Sequence, residues 1–388
     1  MADTKRMKIG ITCYPTYGGS GVVATELGIE LAERGHEIHF ITYSPPFRLH
    51  GTQLPNIHYH EVQVSNYPLF DYPPYDLALA TRMAEVAEIY GLDLLHVHYA
   101  IPHSVSALLA KQMLQKSGKR LPTVTTLHGT DITLVGSDPS YLPITRFSIE
   151  ESDGVTAISH YLRERTLREF EIRRPVQVIA NFVNCDLYQR DIASKRRRQE
   201  YAGEGERVLV HLSNFRPVKR VLDVIEIFDR VRQKLPAKLL LIGDGPDRPK
   251  AELLAARKGL HKSVYFLGKQ DRVHEKLPMA DVMLLPSEME SFGLAALEAM
   301  SCEVVPIATR VGGLPEVVDH GEDGFLGEVG DVETMAQYAI DILSDEARLR
   351  SMGKEARKRA RAKFCSTNII PEYEKYYASI LDGSIESQ

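Results

Sequence analysis

Short apolar runs that contain β-branched residues alternate with helical stretches along the whole chain. This alternation is typical of βαβ units, in which a helix connects each strand to the next parallel strand. It predicts an α/β protein with two doubly wound parallel sheets. The predicted strands are residues 8–13, 37–43, 94–98, 123–127, 154–158 and 176–179, followed by 208–212, 238–242, 264–267, 282–285 and 304–307.

The length of 388 residues exceeds what one hydrophobic core usually supports, so two domains are expected, joined near residues 181–190. An apolar content of 44% and a net charge of −5 are typical of an ordinary globular chain without a basic face for nucleic acid. No apolar run approaches the ~18 residues of a membrane-spanning helix, and no signal sequence precedes the first strand. We therefore expect a cytoplasmic protein without stable membrane association, in which residues 1–6 form a polar leader.

The cysteines fit a reducing compartment. None of them forms a CxxC pair, which argues against a zinc ribbon and against a disulfide scaffold. The four cysteines are Cys13, Cys185, Cys302 and Cys365.

The segment from Pro286 to Met300, PSEMESFGLAALEAM, follows a predicted buried strand and becomes a run of helix formers at Leu294. A glycine turn at a helix N-terminus leaves backbone amides free, and together with the helix dipole these suit the phosphates of a nucleotide. Glu290 and Glu298 flank the turn. Because carboxylates repel a diphosphate, we predict that they bind hydroxyl groups of a sugar and a ribose. The alternative is an ordinary strand–loop–helix unit with a capping Glu290 and a solvated Glu298.

The spacing of these two glutamates around Ser-Phe-Gly, followed by Arg310-Val-Gly-Gly-Leu-Pro-Glu316, resembles the nucleotide-sugar site of retaining glycosyltransferases of group 1. Ser301-Cys302-Glu303 departs from the family, which usually has a glycine there. The resemblance implies the GT-B fold, with two Rossmann-like domains that face a cleft. It assigns residues 1–181 plus 366–388 to an acceptor-side domain, because the terminal helix returns to the first domain, and 182–365 to a nucleotide-sugar domain.

A glycine-rich loop follows the first strand. Gly19-Ser20-Gly21-Val-Val-Ala24 satisfies GxGxxA, so nicotinamide binding is an alternative. That fingerprint requires an acidic residue at the end of the second strand, which here ends in Thr-Tyr43-Ser without one. The family resemblance implies that this loop meets a diphosphate or an acidic acceptor.

Histidines are frequent at strand ends. His96 and His98 point to the same face, and with His103 a metal site is conceivable, but neutral strand-end histidines commonly form hydrogen bonds instead. His58 and His60 repeat the spacing on a strand edge. We predict no metal site.

The predicted strand 123–127 is followed by His128-Gly129-Thr130-Asp131. The resemblance implies that His128 lies beside the donor sugar, whereas a turn capped by Asp131 is the alternative. Tyr99 lies at another strand end, where ligands of open α/β sheets bind. Asn181 resembles the asparagine of the family's hinge segment, although alanine and phenylalanine replace its proline and glycine neighbours.

The second domain begins with Asn214-Phe-Arg216-Pro-Val-Lys219, which places cations just after a strand. Fixed positive charge stabilises a departing diphosphate. The family usually has an arginine at the position of Asn214, and Arg216 is a candidate replacement. Gly243-Asp-Gly245 resembles the family's turn near the nucleotide, although a structural turn explains it equally well.

The chain contains no Asp-x-Asp sequence, which commonly holds a divalent cation against a diphosphate, and no carboxylate pair at glycosidase spacing. We therefore predict a metal-independent, retaining transfer without a cofactor. The predicted catalytic residues are Glu290, His128 and Lys219. The predicted donor-binding residues are Gly19, Asn181, Asn214, Arg216, Lys219, Glu290, Ser291, Phe292, Gly293, Leu294 and Glu298.

The segments HVHYAIPHSVSALLAKQM, LPTVTTLHGTDITLVG and LSNFRPVKRVLDVIEIF are similar to those of group 1 transferases that begin bacillithiol biosynthesis. These enzymes move N-acetylglucosamine from UDP-N-acetylglucosamine to the hydroxyl group of L-malate. The motifs alone do not distinguish malate from another acceptor, or UDP from GDP, and they leave a homo-oligomer open. The alternatives are a GT-B UDP-N-acetylglucosamine 2-epimerase and a group 1 transferase with another acceptor.

Malate would bring two carboxylates, for which the planar fork of an arginine is the natural partner. Arg146 follows the His128 loop and is the predicted partner, while Arg163 and Arg165 fit a solvated helix better. The basic clusters at 195–198 and 357–363 are also predicted to be solvated. The predicted acceptor-binding residues are Ser20, Tyr99, Thr126, Thr130 and Arg146.

Overall fold

The computed structural model describes residues 6–16, 18–49, 54–64, 68–69 and 71–384, and residues 1–5 of the predicted leader lie outside this set. The chain divides into two compact units. Met1–Ala180 and Ile369–Gln388 form the first, and Asn181–Asn368 form the second. The boundaries predicted from the sequence are 181/182 and 365/366.

The first unit is built on a parallel sheet of seven strands in the order β3-β2-β1-β4-β5-β6-β7. Strands β4 and β5 are buried along their whole length, as expected for a parallel sheet that is covered on both faces. The strands are β1 (Lys8–Thr12), β2 (Glu37–Thr42), β3 (Ile57–Glu61), β4 (Leu94–His98), β5 (Thr123–Leu127), β6 (Gly154–Ala157) and β7 (Gln177–Val178).

The second unit contains a parallel sheet of six strands in the order β10-β9-β8-β11-β12-β13. Its strands are β8 (Arg207–Leu212), β9 (Ala237–Ile242), β10 (Val264–Gly268), β11 (Val282–Leu285), β12 (Val305–Thr309) and β13 (Phe325–Gly327). The predicted series of strands omits β3, whose two histidines interrupt the apolar pattern, and β13, which is too short to produce one. The two parallel-sheet Rossmann-like domains confirm the predicted α/β class.

Helices connect the strands in both units. Those of the first unit are α1 (Ser20–Glu33), α2 (Tyr75–Tyr90), α3 (Val105–Lys116), α4 (Thr130–Thr133), α5 (Leu142–Glu150) and α6 (His160–Phe170). Those of the second unit are α7 (Ile192–Arg198), α8 (Val221–Arg232), α9 (Arg248–Arg257), α10 (Val273–Lys276), α11 (Leu294–Ser301), α12 (Leu314–Val317), α13 (Val332–Ser344) and α14 (Glu346–Phe364). Within the described residues, no helix has both the length and the apolar character needed to cross a membrane.

The last helix, α15 (Ser366–Leu381), returns to the first unit from Ile369 onward. Tyr377 is fully buried there, and its hydroxyl lies 2.7 Å from Nδ1 of His96 on β4. Tyr376 donates a hydrogen bond of 3.1 Å to the carbonyl of Val155 on β6. Helix α15 therefore completes the packing of the first sheet.

The prediction that the basic clusters are solvated is wrong for three arginines. Arg198 forms a 2.7 Å ion pair with Asp281, which is buried. Arg357 donates to the carbonyl of Tyr188 at 3.0 Å, and Arg359 donates to the carbonyl of Val317 at 2.8 Å. Guanidinium groups carry several donors, so they can satisfy backbone carbonyls in loops and at the ends of helices.

Candidate active site

The strand order of each sheet reverses beside one central strand. The reversal lies between β1 and β4 in the first unit and between β8 and β11 in the second. Ligands of open α/β sheets bind beyond the carboxyl ends of the strands at such a switch point. Most of the residues predicted for the site follow these strands: Gly19 and Ser20 after β1, Tyr99 after β4, Asn214, Arg216 and Lys219 after β8, and Glu290 and Ser291 after β11.

The structure brings Lys219 and Glu290 together at the switch point of the second sheet. Nζ of Lys219 lies 2.5 Å from Oε1 of Glu290, and both side chains are largely buried, with 21% and 13% exposed. Ser287 donates from its hydroxyl to the same carboxylate oxygen at 2.9 Å. The amide of Glu288 donates to the carbonyl of Val218 at 2.8 Å, so the two loops are also joined through their backbones. The alternative role of Glu290 as a helix cap does not apply, because α11 has no side-chain cap.

The predicted phosphate-binding turn lies at the start of α11. Gly293 precedes the helix with φ 100°, a left-handed conformation that favours glycine, and the first turn of the helix carries no acidic residue. A second glycine permits a close approach, because a Cβ at Gly313 would lie 2.4 Å from the carbonyl oxygen of Ser291. Phe292 is buried and packs its ring against Phe364 at 5.7 Å, so only its backbone can serve a ligand.

Glu298 lies on α11 and is only 6% exposed, so the alternative of a solvated carboxylate is wrong. It accepts a 2.9 Å hydrogen bond from the hydroxyl of Tyr188, which is itself buried. No local sequence pattern predicts the role of Tyr188, because it lies 110 residues from Glu298 in the chain. Its hydroxyl fixes one carboxylate oxygen in place.

Asn214 and Arg216 are exposed on the loop after β8. The Gly243–Gly245 turn passes directly over this loop, since a Cβ at Gly243 would lie 1.8 Å from the carbonyl oxygen of Ser213. A Cβ at Gly245 would lie 1.9 Å from the carbonyl oxygen of Asn214. Both glycines are therefore required by close packing.

In the first unit, side chains from two strand ends meet around Tyr99. Its hydroxyl lies 2.8 Å from that of Thr130, and its ring stacks on His128 with a centroid distance of 5.6 Å. Tyr99 has φ 88°, a conformation that costs free energy in a residue other than glycine and that the surrounding contacts must hold. Asp131 joins the two loops, because its carboxylate accepts from the amides of Ala100 at 3.0 Å and Gly129 at 2.7 Å. Burial raises the pKa of Asp131.

His128 is buried, and its Nε2 lies 2.8 Å from Nδ1 of His98. Burial, with a smaller contribution from the nearby His103, lowers the pKa of His128 to about 3. Burial also lowers the pKa of His98 well below its usual value. At neutral pH His128 is therefore an uncharged imidazole, which can exchange hydrogen bonds with a sugar but cannot serve as a cation. Nε2 of His98 is buried and has no hydrogen-bond partner among the described residues.

Thr126 lies apart from the other residues predicted for the acceptor. Its side chain is fully buried, and its hydroxyl lies 2.6 Å from Nε2 of His96 and 2.6 Å from the hydroxyl of Thr156. Side chains alternate between the two faces of a strand, and the side chain of Thr126 lies on the face that packs against residues of the neighbouring strands. It therefore does not reach the loop that carries Tyr99.

Gly19 and Ser20 lie at the start of α1. Gly19 has φ 60°, and a Cβ at Gly21 would lie 2.3 Å from the carbonyl oxygen of Tyr14. Ser20 is the first helical residue, and the first turn of α1 carries no acidic residue. Free amides without an opposing carboxylate suit an anion.

Arg146 lies on α5 and pairs with Glu171, at 3.0 Å between the guanidinium and a carboxylate oxygen. Its side chain is 41% exposed, so this pair contributes little to stability. The ion-pair partner of Arg146 is therefore not one of the predicted acceptor residues.

Asn181 is buried at the start of the second unit, and its Oδ1 has no hydrogen-bond partner among the described residues.

Comparison with protein-family models matches residues 193–359 to glycosyl transferases group 1 and residues 17–187 to glycosyltransferase family 4. Among curated proteins, the chain is 53% identical to N-acetyl-alpha-D-glucosaminyl L-malate synthase of Bacillus anthracis, over 97% of this chain and 98% of that protein. It is 28% identical to a GDP-mannose-dependent phosphatidylinositol monomannoside mannosyltransferase of Mycolicibacterium smegmatis, over 72% and 74% of the two chains.

Two solved structures share the architecture. Sucrose-phosphate synthase from Thermosynechococcus elongatus has a TM-score of 0.79 at 22% identity, over 97% of this chain and all of that one. Anabaena HepE in complex with UDP and glucose has a TM-score of 0.81 at 20% identity, over 96% of this chain and all of that one. At such identities the likeness shows the fold alone, and it confirms the predicted fold class.

Proposed function

The chain belongs to the group 1 glycosyltransferases, and from this premise we propose that it moves N-acetylglucosamine from UDP-N-acetylglucosamine to the hydroxyl group of L-malate. One observation carries the choice of substrates. The similarity to the Bacillus anthracis synthase extends over nearly the full length of both proteins. That synthase is named for the product of a transfer, which favours transfer over the 2-epimerase reaction. The first step of bacillithiol biosynthesis is the corresponding cytoplasmic role.

The donor would bind at the switch point of the second unit. Lys219 and the amides at Phe292, Gly293 and Leu294 would stabilise the diphosphate as negative charge develops on it. This proposal is supported by the first turn of α11, which carries no acidic residue. Glu298, held by Tyr188, would accept hydrogen bonds from the ribose hydroxyls.

Glu290 and His128 would bind the sugar. Glu290 would contact the sugar, and Lys219, its ion-pair partner, would contact the diphosphate. One ion pair would therefore connect the sugar and the leaving group. His128 would act as a neutral hydrogen-bonding group because burial lowers its pKa to about 3. The remaining donor contacts would come from Gly19, Asn181, Asn214, Arg216 and Ser291.

Malate would bind to the first unit. Ser20, Tyr99 and Thr130 offer hydroxyl groups, and Arg146 offers a guanidinium for a carboxylate. The bond from the sugar's C1 to the diphosphate oxygen would break, and the bond from C1 to the malate hydroxyl oxygen would form on the same face. The hydroxyl proton of malate would pass to the departing diphosphate. Retention follows from that shared face. Neither a cofactor nor a divalent cation takes part in this scheme, because cationic and amide groups of the protein neutralise the diphosphate.

The test is incubation with UDP-N-acetylglucosamine, UDP-glucose or GDP-mannose, each with and without L-malate, followed by mass analysis. We expect a glycoside of malate and released UDP only when UDP-N-acetylglucosamine and L-malate are both present. The anomeric coupling constant of the product, measured by NMR, should show the α configuration of the donor. An isomerised sugar formed without malate would instead identify an epimerase.

A further inference from the structure

Three potential metal ligands converge on one face of the first sheet, at β2 and β3. His39 on β2 pairs in register with His58 on β3, so the two side chains lie on the same face of the parallel pair. Glu37 is two residues before His39 on the same strand and therefore shares that face. One ligand atom from each of the three residues lies within 4.8 Å of the other two.

We propose that Glu37, His39 and His58 form a binding site for one divalent transition-metal ion with the coordination preferences of zinc. Two imidazole nitrogens and one carboxylate oxygen are a ligand set of tetrahedral zinc sites that keep a fourth position for water. In such a site neighbouring ligand atoms are separated by roughly 3.3 Å, given metal–ligand distances of about 2.0–2.1 Å. Oε1 of Glu37 lies 3.2 Å from Nε2 of His39 and 3.8 Å from Nε2 of His58.

His60 supports the orientation that a metal ligand needs. Its Nε2 lies 2.9 Å from Nδ1 of His39. When Nδ1 of His39 donates its hydrogen to His60, the lone pair of Nε2 points toward Glu37. Histidines that bind metals usually carry such a partner on the other ring nitrogen, which fixes the tautomer and the ring.

The site is ordered before any ion binds. The ring of His39 is fully buried, and it lies 4.7 Å from the ring of His58 and 4.7 Å from that of Tyr90. Ligands on strands are held more firmly than ligands on loops, so little reorganisation would oppose binding. His58 is 38% exposed on its side chain, which leaves a path for the ion.

Two cationic side chains lie near the carboxylate of Glu37. Nζ of Lys8 lies 3.6 Å from Oε1 of Glu37, and a guanidinium nitrogen of Arg6 lies 3.9 Å from Oε2. Both cations are on exposed, flexible side chains, and such pairs contribute little free energy. A bound divalent ion would take over the neutralisation of Glu37 while Lys8 and Arg6 turn toward water.

The metal would stabilise the fold instead of taking part in the transfer. Glu37 is the first residue of β2 and His58 the second of β3, so the site lies at the amino ends of these strands. The residues proposed for catalysis follow the carboxyl ends. An ion here would join the edge strand β3 to β2.

The test uses the full chain without an affinity tag, stripped by a chelator and then titrated with Zn²⁺ or Co²⁺. We expect one ion per chain by equilibrium dialysis, visible absorption bands of tetrahedral Co²⁺, and a higher Tm with Zn²⁺. His58→Ala and Glu37→Gln should each weaken zinc binding at least tenfold and remove the rise in Tm. The matched control is His261→Ala, which removes an exposed histidine of the second unit and should bind zinc as the parent does.

His58 is the first choice for substitution because its side chain is partly exposed, and circular dichroism will show that the variant folds. Glu37→Gln changes no volume and provides a second test. The proposal is overturned if the parent binds no stoichiometric Zn²⁺. It is also overturned if both variants bind zinc as tightly as the parent does, because the three residues would then form only a hydrogen-bonded cluster.

Discussion

The ammonium group of Lys219 lies 2.5 Å from a carboxylate oxygen of Glu290, across the switch point of the second sheet. Without a ligand, the cation proposed for the diphosphate and the carboxylate proposed for the sugar thus neutralise each other. A bound donor would offer each of them a new partner. The energetics of the two side chains should therefore be coupled.

Replacing Glu290 by Gln tests this coupling. Glutamine keeps the shape but removes the charge, and the loss of one charged hydrogen bond should cost about 1.5–3 kcal/mol, or tenfold or more in kcat/KM. Lys219→Met should also reduce kcat/KM. Because the two residues are in contact, the double variant should lose less than the product of the two single losses. Steady-state kinetics of all four proteins measures this, and strictly multiplicative effects would show that the pair is not coupled in catalysis.

Turnover should survive a chelator, because in the proposed scheme Lys219 and backbone amides neutralise the diphosphate in place of a divalent cation. The measurement is the rate of UDP release with and without EDTA. Since EDTA also strips the proposed site at Glu37, the Tm should be recorded in parallel. A fall in Tm with unchanged turnover fits both proposals. Activity that disappears in EDTA and returns with magnesium or manganese would contradict the metal-independent scheme.

Gly313→Ala should disturb the proposed donor site, although Gly313 is not one of its predicted residues. The new Cβ would lie 2.4 Å from the carbonyl oxygen of Ser291, so the loop at 290–293 must shift. We expect a loss of about 1–3 kcal/mol in stability and a higher KM for the donor. Gly203→Ala is the matched control, because the nearest atom to its Cβ is 3.5 Å away on a flexible glutamate side chain. Donor kinetics and urea unfolding distinguish the two variants, and equal behaviour would refute the packing argument.

Arg146→Lys should raise the apparent KM for malate more than tenfold, because a point charge replaces the planar fork, while the KM for the donor stays nearly constant. Glu171→Gln is the complementary variant, because it releases Arg146 from its present 3.0 Å ion pair. It should lower the KM for malate or leave it unchanged. If Arg146→Lys changes the donor constant and not the malate constant, Arg146 contributes to the diphosphate site and another arginine binds malate.

Acid should destabilise the first unit below pH 6.5. Burial lowers the pKa of His96 and His128 to about 3 and that of His103 to about 4, from an ordinary value of 6.5. Between these values the unfolded chain binds protons that the folded chain does not, so stability falls as the pH falls. Each histidine contributes up to about 1.4 kcal/mol per pH unit. Urea midpoints at pH 7.5 and 5.0 measure the effect, and His128→Gln should flatten it whereas His261→Ala should not.

Local patterns predicted the parts of this protein that are local in the chain. The alternation of apolar runs predicted the strands from 94 to 98, 123 to 127 and 282 to 285 with the bounds that the structure shows. The glycine turn before Leu294 was predicted because its residues are adjacent. The predicted site residues that follow β11 all lie within fifteen residues, from Pro286 to Met300.

Contacts between distant residues could not be predicted in this way. Tyr188 and Glu298 are 110 residues apart, and only the packing of α11 brings them together. The hydroxyl of Thr126 contacts His96 on β4 and Thr156 on β6, and no local pattern identifies these partners. Glu37, His39 and His58 illustrate the same limit, because the register of β2 and β3 decides whether the spaced histidines share a face.

The return of α15 to the first unit also affects the order in which the two units can fold during synthesis. A ribosome releases residues in chain order, so Asn181–Asn368 emerges after most of the first unit and before its last helix. Until that helix arrives, His96 lacks its contact with Tyr377, and the surface that later covers Tyr373 and Tyr377 faces water. The nascent first unit therefore stays incomplete while nearly two hundred further residues are synthesised. The second unit can fold before the first unit is complete.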